Sequence, residues 1–122
     1  MNVDIHWENE AKTVVRINCS GLWNWQDMAA ATTRWMETDG QGSNSGVLLD
    51  LRGVIMPIDV VLHLKIATRD VHRVNGLIVV LASDAATTLV FKLFVSLYKA
   101  IGGKFRLVTS EAEAHAELGL TP

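Results

Sequence analysis

Hydrophobic and polar residues alternate strictly at the start of the chain. Val3, Ile5 and Trp7 are separated by polar side chains, and this period of two is typical of a half-buried strand. The same alternation returns over Val15–Cys19, after a polar turn. The pattern predicts an opening β-hairpin that ends at Ser20-Gly21.

The spacing then becomes helical. Apolar residues between Trp25 and Met36 follow a helical period, and Asn24 precedes them as a suitable N-cap. A short apolar strand is predicted over 47–51, between Gly46 and Gly53. Pro57 fits the first turn of a second helix, whose apolar stripe runs over 60–74.

The second half of the chain is more apolar. Residues 77–82 form an unbroken apolar run, as expected for a central parallel strand that is covered on both faces. A helix is predicted over 85–101, an edge strand over 105–107, and a final helix from the capping box at Ser110 to Leu118.

The predicted order is therefore β-β-α-β-α-β-α-β-α. Strands that alternate with helices require right-handed crossovers and a mainly parallel sheet. The first strand is joined to the second by a tight turn and should run antiparallel to it. We predict a single α/β domain over residues 1–122, with a five-stranded sheet.

The helix over 85–101 is apolar on almost all sides. Its polar positions form one stripe at 88, 92, 96 and 99, whereas a surface helix normally has one apolar stripe. Exposed Leu, Val or Phe side chains would each forfeit roughly 1.5–3 kcal/mol of burial free energy. Its candidate contact residues are Leu89, Val90, Phe91, Phe94, Val95, Leu97, Tyr98 and Ile101.

Four kinds of cover are open for this helix. We expect a second copy of the chain, and hence a homodimer. The chain's own hairpin or last helix could cover it instead, and so could an apolar ligand. A different protein is a further possible partner.

The amino-acid composition argues against several classes of function. The chain has 122 residues, 49% of them hydrophobic and 20% charged, which is ordinary for a globular protein. A net charge of -2 gives no general attraction for nucleic acid or an anionic membrane. No apolar run reaches the ~18 residues that span a bilayer, so we expect no integral membrane protein. The start lacks signal-peptide features and Cys19 has no partner cysteine, which favours the cytoplasm.

Catalytic motifs are missing from the sequence. The four histidines (His6, His63, His72 and His115) have no metal-binding spacing, and we expect neither a metal nor a cofactor. Cys19 shares the inward phase of its strand, which predicts a buried, inert thiol. Asp50 falls near the carboxyl end of a central strand, but the further acids of a Mg²⁺ site are missing. The simplest interpretation of Asp50 is hydrogen bonding to neighbouring loop amides, with Arg52 as a candidate ion-pair partner. We therefore predict no enzyme.

A basic patch is predicted on the second helix, formed by Lys65, Arg69, His72 and Arg73. It could dock an acidic partner or a lipid headgroup, although a solvated helix face is the simpler interpretation.

The element order, with the strand end Leu49–Val54, resembles the STAS domains of anti-sigma-factor antagonists and their SpoIIAA-like relatives, which include a CRAL-TRIO-like lipid-binding group. Gly76–Ala82 is similar to the central strand of that family. Ser110, Ala114 and Leu118 are similar to its closing helix. The resemblance covers nearly the whole chain and implies the same fold.

The resemblance also implies a switch region, here Asp50, Arg52, Pro57 and Asp59. In the antagonist branch, the strand leads to an Asp-Ser-Ser-Gly turn with a phosphorylated serine. Here the turn 56–59 reads Met-Pro-Ile-Asp and contains no hydroxyl. A regulatory or scaffold-type protein-interaction domain without a phospho-switch is therefore expected. The alternatives are a carrier or sensor of a lipid or other apolar molecule and, third, a small enzyme with Asp50 or Asp59 as acid/base.

Overall fold

The computed structural model describes residues 1–38, 46–57, 76–97 and 105–120. Its strands are β1 (Asn2–Trp7), β2 (Val14–Leu22), β3 (Gly46–Ile55), β4 (Leu77–Leu81) and β5 (Phe105–Val108). Its helices are α1 (Trp25–Thr38), α2 (Ala85–Leu97) and α3 (Glu111–Leu118).

The five strands form one sheet in the order β1-β2-β3-β4-β5. β1 is antiparallel to β2, and every other pair is parallel. This confirms the predicted α/β class and the antiparallel first strand. The helix predicted over 57–74 lies outside the described residues.

Helices cover the sheet on both faces, because alternate residues of the central strands enter two different cores. Leu49 and Val80 belong to the first core, which Trp25 of α1 and Phe91 of α2 also contact. The second core contains Leu48, Val79, Leu81 and Val108, with Ala114 of α3 packed among them. The central strands are thus buried on both sides, as the apolar run over 77–82 predicts.

The capping residues observed at the helix ends agree with those that the sequence indicates. Asn24 Oδ1 accepts hydrogen bonds from the backbone N–H groups of Gln26 and Asp27, at 2.8 and 3.2 Å. Ser110 Oγ accepts from the Glu113 N–H at 3.2 Å. Gly119 closes α3 with a φ of 72°, a left-handed conformation that suits glycine.

β2 and β3 are longer than the sequence pattern predicts. Ser20-Gly21 was expected to end β2 and Gly53 to lie beyond β3, yet β2 continues to Leu22 and β3 to Ile55. The two strands stay paired past the point where β4 ends, at Ser20↔Gly53, Gly21↔Val54 and Leu22↔Ile55. We call residues 20–22 and 53–55 the β2–β3 tip.

A β-bulge precedes the tip. Between the pairs Asn18↔Asp50 and Ser20↔Gly53, β2 has one residue and β3 has two. The additional residue returns Val54 to the first core, where it is 7% exposed. A Cβ on Gly53 would lie 3.3 Å from Ser20 Cβ, so glycine permits the close approach of the two strands. Both glycines therefore continue strands instead of ending them.

Candidate functional site

A cluster of charged side chains lies between the sheet and α3. Its centre is Arg16 of β2, which is 9% exposed and is one of two buried polar residues in the described part of the chain. Arg16 Nη2 donates to Asp50 Oδ2 at 2.9 Å and also to Glu111 Oε1 of α3. Its Nη1 lies 3.3 Å from Glu8 Oε2, and its Nε donates to Asn18 Oδ1 at 2.8 Å. One guanidinium thus joins three carboxylates.

Arg52 completes this charge cluster, which we define as Glu8, Arg16, Asp50, Arg52 and Glu111. Its Nε and Nη2 donate to the two oxygens of Asp50, at 3.0 and 2.8 Å, in a bidentate pair. Its Nη2 also donates to Glu111 Oε1 at 3.2 Å. The pairing of Asp50 with Arg52 that the sequence predicts is confirmed.

The two arginines of the charge cluster favour the ionised forms of Asp50 and Glu111. Burial alone would raise the pKa of Asp50, but hydrogen bonds and the positive charges of Arg52 and Arg16 lower it below its ordinary value. The hydrogen bond from Arg16 likewise lowers the pKa of Glu111, against the opposing effect of burial. A general acid at neutral pH needs a raised pKa. The acid/base role considered for Asp50 is therefore not supported.

α3 contacts the rest of the cluster at a second point. His115 Nε2 lies 3.3 Å from Glu8 Oε1, one helical turn after Glu111. Glu8 follows β1 and Glu111 begins α3, so the polar contacts fix the last helix to both the hairpin and the central strands. This arrangement is suited to holding these elements together.

The β2–β3 tip presents two large apolar side chains to solvent. Leu22 is 60% exposed and Ile55 is 66% exposed. They are direct neighbours across the parallel strands, and alternation along β2 places Leu22 on the same face as Arg16. Ile55 immediately precedes Met56 and Pro57, and Pro57 belongs to the predicted switch region. Asp59 lies outside the described residues.

The candidate contact residues of α2 divide between core and solvent. Val90, Phe91 and Val95 are partly buried against the first core, whereas Leu89 is 58% exposed. Leu93, which the sequence did not single out, is 40% exposed. Phe94 and Leu97 belong to α2, but their side chains lie outside the described set, as do Tyr98 and Ile101 altogether. The basic patch of Lys65, Arg69, His72 and Arg73 also lies outside the described residues.

A partly open groove separates α2 from the edge strand β5. Its volume is about 260 Å³. Val80, Phe91, Val95, Phe105 and Leu107 form its apolar surface, and Lys92 and Arg106 are its charged residues. We call it the α2–β5 groove.

The thiol of Cys19 is buried, as predicted. Cys19 is 5% exposed, and burial raises its pKa to about 12, with a further contribution from the negative charge of Asp50. Within the described ranges, no three His, Cys, Asp or Glu side chains are arranged to hold a metal ion. No helix in those ranges is long and apolar enough to cross a membrane.

No model of a known protein family matches the chain, and no curated protein matches it either. Solved structures do. The anti-sigma factor antagonist SpoIIAA in its unphosphorylated form aligns with a TM-score of 0.63 and 14% identity, over 99% of this chain and 100% of that one. An anti-sigma factor antagonist from Mycobacterium paratuberculosis aligns with a TM-score of 0.65 and 19% identity, over 97% and 95%. The chain is therefore a SpoIIAA/STAS-like domain in its fold.

Proposed function

We propose that this domain is a non-enzymatic, cytoplasmic regulatory module that binds another protein without a phosphorylation switch. The two similar structures are named as antagonists of anti-sigma factors, so each acts through another protein. One of them is described in an unphosphorylated form. Here residues 56–59 read Met-Pro-Ile-Asp and contain no hydroxyl that could be phosphorylated.

The exposed Leu22–Ile55 pair carries this proposal. Apolar side chains that are exposed singly are normal on a protein surface, whereas contact sites expose contiguous apolar area, which an adjacent pair begins to form. Both residues are more than half exposed and are paired at the ends of their strands, and Ile55 lies two residues before Pro57 of the predicted switch region. A partner that buried them would gain roughly 1.5–3 kcal/mol for each.

Charged residues on the same face of the sheet support the same site. The side chains of Arg52 and Glu111 are 42% and 44% exposed, whereas those of Arg16 and Asp50 are 11% and 13% exposed. The buried pair holds the strands in register, and the outer pair can meet charges of a partner. An apolar centre with a polar rim is the usual anatomy of a protein interface.

The test is partner capture followed by reconstitution. The protein, tagged and expressed in its own cells, is chemically crosslinked, and the captured protein is then purified and titrated against defined variants. Leu22→Asp and Ile55→Asp should each weaken binding at least about tenfold. Met36→Asp, which changes a 44% exposed methionine on α1, is the matched control and should bind normally.

Two outcomes would refute this function. One is unchanged affinity in both tip variants. The other is a wild-type protein that yields no saturable protein partner. Mass spectrometry of the captured complex adds a check, because a phosphate required for binding would contradict a constitutive contact.

The alternative of a lipid carrier has one observation in its favour, the α2–β5 groove. The groove lies between the sheet and α2, where an apolar ligand was expected. Closed ligand cavities usually measure about 300–1,000 Å³ and bury most of the ligand. A partly open groove of about 260 Å³ fits this class poorly. Native mass spectrometry of freshly purified protein tests the carrier hypothesis. A bound lipid would support it, and repeated absence of a lipid would oppose it.

A further inference from the structure

The first strand, β1, lies at one edge of the sheet. β1 and β5 are the outermost of the described strands, with six and four residues. Native edge strands are commonly protected against further pairing by proline, lysine or a bulge. β1 contains no proline or lysine, and its pairing with β2 runs from Asn2 to Trp7 without a bulge. The longer of the two edges therefore lacks these protections.

The hairpin determines which backbone groups of β1 point to the open edge. Glu8 donates its backbone N–H to the carbonyl oxygen of Val14 at 2.8 Å, which makes Glu8 a hydrogen-bonded position of the antiparallel pair. Such positions alternate along a strand, and the residues between them direct N–H and C=O away from the partner strand. Counting back from Glu8, the outward positions are Trp7, Ile5 and Val3. They form a template for one more strand.

We infer that this edge pairs with β1 of a second copy of the chain, antiparallel and centred on Ile5, so that two sheets become one. This goes beyond the tip contact proposed above and uses a different surface. A two-fold axis at Ile5 sets Ile5 opposite its own copy and Val3 opposite Trp7 of the second copy. Every outward N–H and C=O group of these three residues then has a partner. An axis between two residues would instead bring outward groups against positions that already bond β2.

The charges of β1 select the register among the axes that remain. The side chains of Asp4 and His6 are 74% and 48% exposed. They occupy the positions where antiparallel strands approach most closely, with opposite Cα atoms about 4.5 Å apart. With the axis at Ile5, each Asp4 faces His6 of the second copy. An axis at Asp4 would set two aspartates against each other, and an axis at His6 would set Asp4 against Glu8. Like charges directly opposite each other are destabilising.

The contact between Asp4 and His6 within one chain is compatible with this register. His6 Nδ1 lies 3.3 Å from Asp4 Oδ2, on the exposed face of the strand. In the dimer the second copy would add the same two side chains beside them. The four side chains would then form one cluster of alternating carboxylates and imidazoles.

The other face of β1 supports the same pairing. Val3, Ile5 and Trp7 are only partly buried against the first core, so a neighbouring strand would cover area that remains exposed. The Trp7 ring already packs edge-on against Trp35 of α1, with centroids 5.4 Å apart. In this register Trp7 faces Val3 of the second copy, and an aromatic side chain opposite a β-branched one is a favourable cross-strand pair. A strand of another protein would have to match both faces, whereas a second copy does so by symmetry.

The test is the oligomeric state of the full chain at high micromolar concentration, measured by sedimentation equilibrium. We expect a dimer. His6→Glu sets carboxylates opposite each other, and Asp4→Lys/His6→Lys sets ammonium groups opposite each other. Each variant alone should therefore dissociate, with a Kd at least about tenfold higher. A mixture of the two should restore a heterodimer, which native mass spectrometry detects. Both positions are exposed, so circular dichroism should show unchanged folding.

Disulfide trapping reads the register directly. Asp4→Cys and His6→Cys are prepared separately, mixed and oxidised. Because the two positions face each other across the axis, the mixed disulfide should form in preference to either homodisulfide. The native Cys19 is buried and is the same in both proteins.

A monomeric wild-type protein would overturn the inference, and so would charge variants that stay dimeric or fail to combine when mixed. Leu89→Asp is the matched control, since it changes a 58% exposed residue of α2, the helix on which the sequence predicts the dimer contact. It should leave the dimer intact, and its dissociation would contradict pairing through β1. The two proposals fail separately. Leu22→Asp should remain dimeric, and Asp4→Lys/His6→Lys should still bind the tip partner.

Discussion

Arg16 of β2 and Asp50 of β3 form a diagonal ion pair, with Nη2 and Oδ2 2.9 Å apart. In the strand register, Arg16 is opposite Leu48, and Asp50 is opposite Asn18. The guanidinium therefore contacts a residue of β3 that lies two positions beyond its direct neighbour. Glu111 of α3 binds the same Nη2. One cation therefore links two central strands to the last helix.

Replacing this cation should be costly. Arg16→Met leaves the carboxylates of Glu8, Asp50 and Glu111 without their shared partner, and loss of one member of a buried ion pair costs about 3–5 kcal/mol. Arg52→Met removes a half-exposed partner and should cost about 0–1 kcal/mol. Urea unfolding of the two variants measures both values. Equal losses would show that Arg16 is not the centre of the cluster.

Acid should weaken the fold through the same cluster. Arg52 and Arg16 lower the pKa of Asp50, and Arg16 lowers that of Glu111, below the unfolded values of about 3.9 and 4.3. The unfolded chain therefore takes up protons first as the pH falls. The stabilisation is complete above about pH 5 and is lost as the pH falls through the folded pKa values.

Urea unfolding between neutral pH and pH 3 checks this dependence. Asp50→Asn and Glu111→Gln should each flatten the decline below about pH 4. Glu37→Gln, at an exposed position on α1, is the control. A decline that is just as steep without Asp50 and Glu111 would contradict the assignment.

Cys19 should resist alkylation in the folded protein. Burial raises its pKa to about 12, so the thiolate is scarce at pH 8, and the side chain is 5% exposed. Iodoacetamide labelling, followed by intact-mass measurement, should give almost no product without denaturant and full labelling in urea. Rapid modification of the native protein would show that the thiol is accessible.

The tip should depend on glycine at position 21. Gly21 has a φ of 95°, a conformation that L side chains rarely adopt, while a Cβ there would meet only Met1 Cα, at 3.7 Å. Gly21→Ala should therefore lose about 1–2 kcal/mol through backbone strain, without a collision. Ser20→Ala, at the exposed neighbouring position, should change the unfolding midpoint little. A fully stable Gly21→Ala protein would mean that the tip adopts another conformation.

The order and direction of the described strands could be predicted from the sequence, because each strand has a distinct hydrophobic period. The length of β2 and β3 could not. Gly21 and Gly53 are typical strand ends in a single sequence, and only the pairing of the two strands shows that they continue. The β-bulge could not be predicted from the sequence either. It changes which residues of β3 face the core after Asp50.

The charge cluster was predicted in part. Local spacing is enough to place Arg52 beside Asp50, which is two residues away. Arg16 was missed because the alternation over Val15–Cys19 assigned it to an outward face. That face is covered at Arg16, because Glu111 of α3 contacts the guanidinium there. The available signal for the cluster was an arginine within a strand that has a neighbouring strand on each side. Glu111 lies 95 residues further along the chain, and its sequence position gave no such signal.

The tryptophans beside the tip provide an intrinsic optical reporter. Trp23 follows Leu22 and donates its backbone N–H to the Ile55 carbonyl at 2.9 Å. Its ring packs edge-on against that of Trp25, with centroids 5.0 Å apart, and neither indole Nε1 has a hydrogen-bond partner among the described residues. Indoles in such dry surroundings emit at short wavelength. Separation of the two strand ends would hydrate Trp23, and the resulting red shift would register events at the tip without an added label.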